Sequence, residues 1–199
     1  MEDPTVPDHK KRPRSARVAG VVFAVAIALT GCAGITSPGS LYGEAAEIVA
    51  APATGPIVSG NGYTFAAPVG WSVPANLTLQ NVDILVSNPA DQDSFGDNVC
   101  IILTPGRIIP TLFEWQAIED LKESGATDII KRGRVIVAGS EAVHVSSIVT
   151  SRGVESQAEQ YFFSAEGQTY TVTFSFSLTV PKSQRDAVAQ SVLASWTWT

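Results

Sequence analysis

The sequence predicts an α+β fold in which α-helices cover an antiparallel β-sheet, as in an α/β/α sandwich. Four long strand candidates follow one another through residues 128–177, with only short turns between them. Strands joined by short turns pair antiparallel, because the turn reverses the chain. Two amphipathic helical segments, at residues 110–125 and 183–196, need an apolar sheet surface on which to bury one face.

The first 31 residues are typical of a bacterial lipoprotein signal peptide. Basic residues precede the uncharged apolar segment Val18–Leu29, and Thr30-Gly31-Cys32 follows it directly. This order resembles a lipobox, the signal in which the cysteine is joined to diacylglycerol and the peptide is cleaved just before it. The mature chain would therefore begin at a lipidated Cys32, on the extracytoplasmic face of the cell membrane.

Other interpretations of the N-terminus fit less well. The apolar segment has 12 residues, whereas a helix that spans a bilayer needs about 20. A twin-arginine signal is not supported, because Pro13 separates Arg12 from Arg14. Ordinary secretory cleavage after Gly31 stays open, since a small residue suits either peptidase.

The composition of the mature part excludes several partners. Its 168 residues carry 8 Lys or Arg and 16 Asp or Glu, a formal charge of −8. Such a charge disfavours nucleic acid and anionic lipid headgroups. Once Cys32 is acylated, Cys100 remains without a disulfide partner, and its apolar neighbours predict a buried, unreactive core residue.

Residues 32–61 are rich in Ala, Gly, Ser and Pro, which predicts a flexible tether with a possible short helix at Glu44–Ala51. A coil of about 30 residues would hold the domain roughly 30 Å from its anchor. The globular domain would then occupy residues 62–199. We expect it to open with a hairpin whose strands lie at Tyr63–Phe65 and Trp71, joined through Pro68-Val69-Gly70.

The central elements follow in order. Strands are predicted at Asp83–Ser87 and Val99–Thr104, with the polar loop Asn88–Asn98 between them. A helix follows Pro110, where Thr111 and Glu114 fit a capping box, and Gly125 ends it. The predicted buried residues of this helix are Leu112, Trp115, Ile118 and Leu121, with Phe113 and Ala117 beside them.

Four strands and a helix complete the chain. The strands are predicted at residues 128–138, 142–152, 154–165 and 168–177. In the last of them Tyr170, Val172, Phe174 and Phe176 alternate with Ser and Thr and predict one apolar face. The final helix has Ser183 as its expected cap, Asp186 near its positive end, and an apolar stripe. That stripe consists of Val188, Val192, Leu193 and Trp196.

The segment Phe65-Ala66-Ala67-Pro68-Val69-Gly70-Trp71 resembles the F-x-x-P-x-G-W motif that opens PsbP-like domains. With the signal peptide and the Ala/Pro-rich linker, the chain resembles LpqN/LpqT-type lipoproteins of actinobacteria, which are related in fold to the DcrB lipoproteins. The resemblance covers about residues 60–199. It implies a non-catalytic envelope lipoprotein that binds other proteins or envelope components, with no catalytic motif and no cofactor to carry over.

The sequence shows no assembled catalytic site. His144 is the one histidine of the mature part, and we interpret it as a strand residue that is hydrogen-bonded locally. A serine hydrolase would need a nucleophile elbow, and Gly139-Ser140-Glu141-Ala142 lacks its second glycine. Paired carboxylates for glycosidic chemistry could come from four residues, of which the sequence singles out no two. These residues are Asp128, Glu155, Glu159 and Glu166.

The loop Asp91–Asn98 begins like a calcium-binding loop, with Asp at positions one and three and Gly at position six. However, position five is Phe95 and position twelve is Ile102, where oxygen ligands are required. We therefore predict an ordinary acidic turn and no metal site.

The leading functional hypothesis is a membrane-anchored binding or scaffolding module of the cell envelope, without enzymatic activity. The loop Asn88–Asn98 and the end Trp196–Thr199 are the candidate partner surfaces. A carrier of lipid or another small apolar ligand is the alternative, which would use a cavity between the sheet and a helix. An open sheet face would let Tyr161–Phe163 line an apolar groove, but we expect these aromatic residues to be buried under the helices. A hydrolase with an unrecognised site is the third hypothesis.

Overall fold

The computed structural model describes residues 43–75, 80–91 and 95–199. The predicted signal peptide and the predicted lipidation site Cys32 lie outside the described residues. The elements are β1 (Ala46–Glu47), β2 (Ile57–Gly60), β3 (Tyr63–Ala66), β4 (Ile84–Ser87), β5 (Asn98–Pro105), α1 (Pro110–Glu123), β6 (Thr127–Val137), β7 (Ser140–Ser151), β8 (Val154–Ala165), β9 (Gln168–Phe176), α2 (Lys182–Ala194) and β10 (Thr197–Trp198).

The strands form two sheets. The large sheet has the order β1-β6-β7-β8-β9-β5-β4, and every pair in it is antiparallel except β1 with β6. The small sheet has the order β10-β3-β2 and is antiparallel. The antiparallel sheet with helices is thus confirmed, although one of its two covering layers combines α2 with the small sheet and is not helical throughout.

Three tight turns build the meander β6-β7-β8-β9. Each turn has two residues with positive φ, namely Ala138-Gly139, Arg152-Gly153 and Glu166-Gly167. Two consecutive residues of positive φ make the turn that matches the twist of hairpin strands, and glycine adopts this conformation without steric cost. The meander therefore follows from local sequence.

The main core lies between the large sheet and the layer formed by α2 and the small sheet. Tyr63 stacks on Trp196 with ring centroids 4.3 Å apart, and Phe163 meets Trp196 edge-on at 5.4 Å. The predicted apolar face of β9 contributes here, because Tyr170, Val172, Phe174 and Phe176 are all buried in this cluster. Aromatic rings in these arrangements add to the free energy gained by burial.

The opening of the domain differs from the prediction. The first hairpin is β2–β3, in which Val58 pairs with Phe65, so the packed region includes part of the predicted tether. Trp71 follows the hairpin as a buried residue outside any strand, and Gly70 has a φ of 86°. The composition of residues 32–61 hid this pairing, because Val58 is the only buried apolar side chain of β2.

Both helices start without the predicted side-chain caps. α1 begins at Pro110 with Ile109 as its N-cap, so Thr111 and Glu114 lie within the helix and form no capping box. Pro181 is the N-cap of α2, and Ser183 makes no capping hydrogen bond. In α1 the proline fixes the first helical residue, because its ring favours that position.

Candidate functional site

The outer face of α1 carries large apolar side chains in contact with solvent. Ile109, Leu112 and Trp115 are 61%, 65% and 67% exposed, and they recur every three residues. This spacing places them along one side of the helix. We name these three residues the Trp115 surface.

The Trp115 surface exists because α1 buries a different stripe from the predicted one. Phe113, Ala117 and Leu121 are its buried apolar residues, and Phe113 meets Phe162 of β8 at a centroid distance of 5.2 Å. Leu112 and Trp115 were expected inside, so the predicted stripe is wrong for both. The sequence holds two competing apolar rows, and only one can face the sheet.

An ion pair accompanies the stripe that is buried. Glu114 is 3% exposed, and its carboxylate lies 2.6 Å from the ammonium of Lys131 on β6. The spacing of apolar residues along the helix cannot reveal this ion pair, because the pair joins the helix to a strand. The pair fixes the rotation of α1 about its axis, because a buried carboxylate needs a charged or polar partner.

Beyond the Trp115 surface, the outer face of the second half of α1 is polar. Glu119 and Lys122 form an ion pair at 2.8 Å, and Gln116 donates to Asp120 at 2.6 Å. Glu123 is exposed at the end of the helix. The outer face of α1 is thus apolar at its start and mainly acidic at its end.

A second unusual feature is a buried ionic cluster under α2. Glu159 of β8 is fully buried, and its two carboxylate oxygens have different partners. His144 Nε2 of β7 lies 3.0 Å from Oε2, while Arg185 Nε of α2 donates to Oε1 at 3.3 Å. Arg185 also donates to the carbonyl oxygen of Val180 at 2.7 Å. The cluster joins α2 to the sheet through charge as well as packing.

Aromatic packing encloses this ionic cluster. The imidazole of His144 stacks on the ring of Tyr161 at 4.0 Å, with an angle of 16° between the planes. Burial, with the neighbouring Glu159 carboxylate, raises the pKa of Tyr161 well above its ordinary range. Tyr161 therefore stays a neutral phenol at physiological pH.

The arrangement of His144 and Glu159 resembles the base and orienter of a hydrolase, but the serine beside it on the described strand β7 is not accessible. Ser146 is the next residue on that side of β7, and it is completely buried and accepts a hydrogen bond from Arg132 Nε at 3.0 Å. His144 itself is 8% exposed. A substrate cannot approach groups at this depth, so the cluster is structural.

The sequence predicted a local hydrogen bond for His144 and did not indicate which of the four candidate carboxylates is important. The structure singles out Glu159, whereas Glu155 and Glu166 are exposed. The period of two contained this signal, because Glu159 shares a strand face with Tyr161 and Phe163. A charged residue on an apolar face needs a buried partner, and His144 of the neighbouring strand supplies one.

Parts of both predicted partner surfaces make contacts within the domain. Asp91 accepts from the Asp97 backbone N–H at 3.0 Å, and Asp97 accepts from that of Ser177 at 2.9 Å, although residues 92–94 lie outside the described part. Among the described residues, no three His, Cys, Asp or Glu side chains are grouped to hold a metal ion. At the other end, Trp196 is buried and Trp198 Nε1 donates to the carbonyl of Ala138.

The remaining candidates are buried. Tyr161, Phe162 and Phe163 are at most 4% exposed, so they do not line an open groove. Cys100 lies in a small apolar cluster with Leu85 and Ile102, and burial raises the pKa of its thiol to about 12. Within the described residues, no helix has the length and apolarity needed to cross a membrane.

Comparison with known proteins supports the fold. No protein-family model matches the chain, and no curated protein is significantly similar to it. LpqN of Mycobacterium tuberculosis, which is involved in cell envelope biogenesis, is similar in structure with a TM-score of 0.53 and 16% identity, over 70% of this chain and 85% of LpqN.

Two further structures are similar at lower scores. CyanoP, the PsbP protein of the cyanobacterium Synechocystis sp. PCC 6803, has a TM-score of 0.49 and 16% identity, over 69% of this chain and 87% of CyanoP. A structure from Bacteroides thetaiotaomicron has a TM-score of 0.46 and 12% identity. The match covers 69% of this chain and 45% of that longer protein. At these identities the comparisons concern architecture, and the chain shares its fold with LpqN.

Proposed function

We propose that this protein is a non-catalytic lipoprotein of the cell envelope that binds a protein partner through the Trp115 surface. The observation that carries the proposal is the exposure of Trp115, at 67%, beside the equally exposed Leu112. Contiguous exposed apolar side chains are typical of interaction sites, and tryptophan is enriched among the residues that dominate binding energy.

A protein fits this surface better than a lipid bilayer does. The mature part carries a charge of −8, and Glu119 and Glu123 lie on the same helix as the apolar residues. Anionic headgroups would repel such a surface, whereas a partner with basic residues would complement it. The spaces between the helices and the sheet hold packed side chains such as Phe113 and Trp196, which favours an external binding surface over an internal lipid site.

Support for the membrane anchor comes from the sequence Leu29-Thr30-Gly31-Cys32 and the preceding basic and apolar segments. Two or more acyl chains hold a protein durably on a membrane, since each buried CH₂ contributes about 0.8 kcal/mol. Anchoring would raise the effective concentration of the domain near a partner in the same membrane. The fold shared with LpqN, a protein of envelope biogenesis, is consistent with this setting.

The test is crosslinking of the full-length protein in its native membrane, followed by identification of the recovered proteins and lipids. Trp115→Ala should reduce recovery of a specific partner several-fold, because it removes the centre of the surface. Val69→Ala is the matched control, since Val69 is 76% exposed and lies outside α1. The amount of partner recovered with Val69→Ala should equal the amount recovered with the unsubstituted protein.

Two outcomes would overturn the proposal. Equal recovery with Trp115→Ala and Val69→Ala would show that α1 is not the binding surface. Co-purified lipid without any protein partner would instead support the carrier.

The lipid anchor has a separate test. Cys32→Ala should release the protein from the membrane fraction, and unchanged retention of this variant would contradict lipidation.

A further inference from the structure

The chain is attached to the domain well before the first hairpin. Arg134 of β6 donates a hydrogen bond to the carbonyl oxygen of Gly43, and β1 pairs with β6 at Val135 and Ile136. Further along, the Ala53 N–H donates to the carbonyl of Ser191 in α2 at 2.8 Å. Residues 43–53 therefore form an arm that is bound to both the sheet edge and α2, and the predicted helix at Glu44–Ala51 is absent.

This arm shortens the connection to the membrane. From Cys32 to Gly43 the chain has 11 residue steps, which span at most about 40 Å even when fully extended. A tether reaching to residue 62, as its composition suggested, could span about 100 Å. The docked arm thus removes more than half of the available reach.

The Trp115 surface lies close to the point where the arm is attached. Glu114, the neighbour of Trp115, is paired with Lys131, and Lys131 is three residues from Arg134 on the same strand. Three residues correspond to about 10 Å along a strand, and a helix packs about 10 Å above its sheet. The Trp115 surface therefore stays within about 60 Å of the lipid anchor.

From this geometry we infer that the partner of the Trp115 surface is a protein held on the same membrane, bound through a part that lies close to the bilayer. The inference rests on the proposed function and names the class of its partner. A short tether raises the effective concentration only for a partner confined to the same membrane. The docked arm then sets the height at which the surface is presented.

The experiment uses the full-length lipidated protein in native membranes, with a photoreactive benzophenone amino acid in place of Gln116, the exposed neighbour of Trp115, so that the Trp115 surface stays intact. Flexible Gly/Ser segments of 20 or 40 residues are inserted between Ser40 and Leu41, ahead of the docked arm. Effective concentration falls roughly as the −3/2 power of tether length. If the partner is below saturation, the crosslinking yield should therefore fall about fivefold with the 20-residue segment and about tenfold with the 40-residue segment. The matched control places the 40-residue segment between Arg152 and Gly153, in the β7–β8 turn, where the yield should stay unchanged.

The outcomes separate this inference from the proposed function. A crosslinked partner whose yield is the same for all tether lengths would overturn the inference and leave the binding surface intact. Absence of any crosslink from position 116 in the chain without insertions would overturn the proposed function itself. A graded fall with tether length, absent in the turn control, would support both.

Discussion

The two faces of the large sheet are covered in different ways. On one face, α2 and the small sheet bury a cluster of stacked aromatic rings and the ionic cluster of His144, Glu159 and Arg185. On the other face, α1 buries a smaller cluster around Phe113 and Phe162. The first helix leaves Trp115 outside, whereas Trp196, two residues after the end of the second helix, is buried.

This contrast separates stability from interaction. α2 buries Ala189, Val192 and Leu193, and Arg185 adds an ion pair with the buried Glu159. α1 has more apolar residues than its contact with the sheet can bury, and the excess forms the Trp115 surface. We therefore expect substitutions under α2 to affect folding, and those on the outer face of α1 to affect binding.

The largest effect is expected at Trp196. Its indole is 4% exposed and stacks against both Tyr63, at 4.3 Å, and Phe65, at 5.6 Å, so Trp196→Ala removes the centre of the α2 core. The free energy of unfolding should fall by about 4 kcal/mol, measured by urea denaturation. Trp196→Phe retains much of the packing and should lose clearly less. Equal losses for the two variants would contradict the role given to the ring stack.

The ionic cluster comes next. Glu159→Gln leaves Arg185 buried without its carboxylate partner, and the free energy of unfolding should fall by about 3 kcal/mol. Glu155→Gln is the control, because Glu155 lies on the same strand but is exposed and should change stability by less than about 0.5 kcal/mol. If both variants unfold at the same urea concentration, the cluster does not hold α2 to the sheet.

A pH dependence tests the opposite face, where Cys100 lies. Burial raises the pKa of this thiol from 9.0 to about 12 in the folded state, so above about pH 9 the unfolded chain loses a proton that the folded chain keeps. The contribution of the Cys100 thiol to the free energy of unfolding is present below pH 9 and is lost as the pH rises toward 12. The loss is up to about 1.4 kcal/mol per pH unit for this group.

The same measurement with Cys100→Ala isolates the thiol. Both variants share the contribution of the buried tyrosines, so the difference between their slopes belongs to Cys100. The slope of the free energy of unfolding against pH, taken between pH 9 and 11, should be shallower in Cys100→Ala. Identical slopes would mean that the thiol is accessible to water in the folded protein.

The parts of the fold that local sequence dictates were predictable. Turns such as Arg152-Gly153 and the alternation of Tyr170, Val172, Phe174 and Phe176 placed the meander and its apolar face correctly. Phe65 and Trp71, which belong to the F-x-x-P-x-G-W motif, are also buried in the core. These features depend on residues close together in the chain, whose conformational preferences act before any distant contact forms.

The parts that depend on distant contacts were not predictable. The rotation of α1 depends on Glu114 meeting Lys131, and the docking of residues 43–53 depends on Arg134 and Ser191. The importance of Glu159 likewise follows from its partners on two other elements. Strand alternation places Glu159 on an apolar face, but the identity of its partners, like the pairings of α1 and of residues 43–53, leaves no periodic pattern in the sequence.

The smallest effect on stability, and the most informative one for function, is expected at Trp115. Trp115→Ala removes an indole that is 67% exposed, so the free energy of unfolding should change by no more than about 0.5 kcal/mol. Urea denaturation beside Trp196→Ala compares the same chemical change at an exposed tryptophan of α1 and at a buried tryptophan that follows α2. If Trp115→Ala is also strongly destabilising, the residue belongs to the core, and a loss of partner recovery in that variant would reflect unfolding. A stable Trp115→Ala protein that no longer recovers its partner would show that α1 keeps its excess apolar residues for binding.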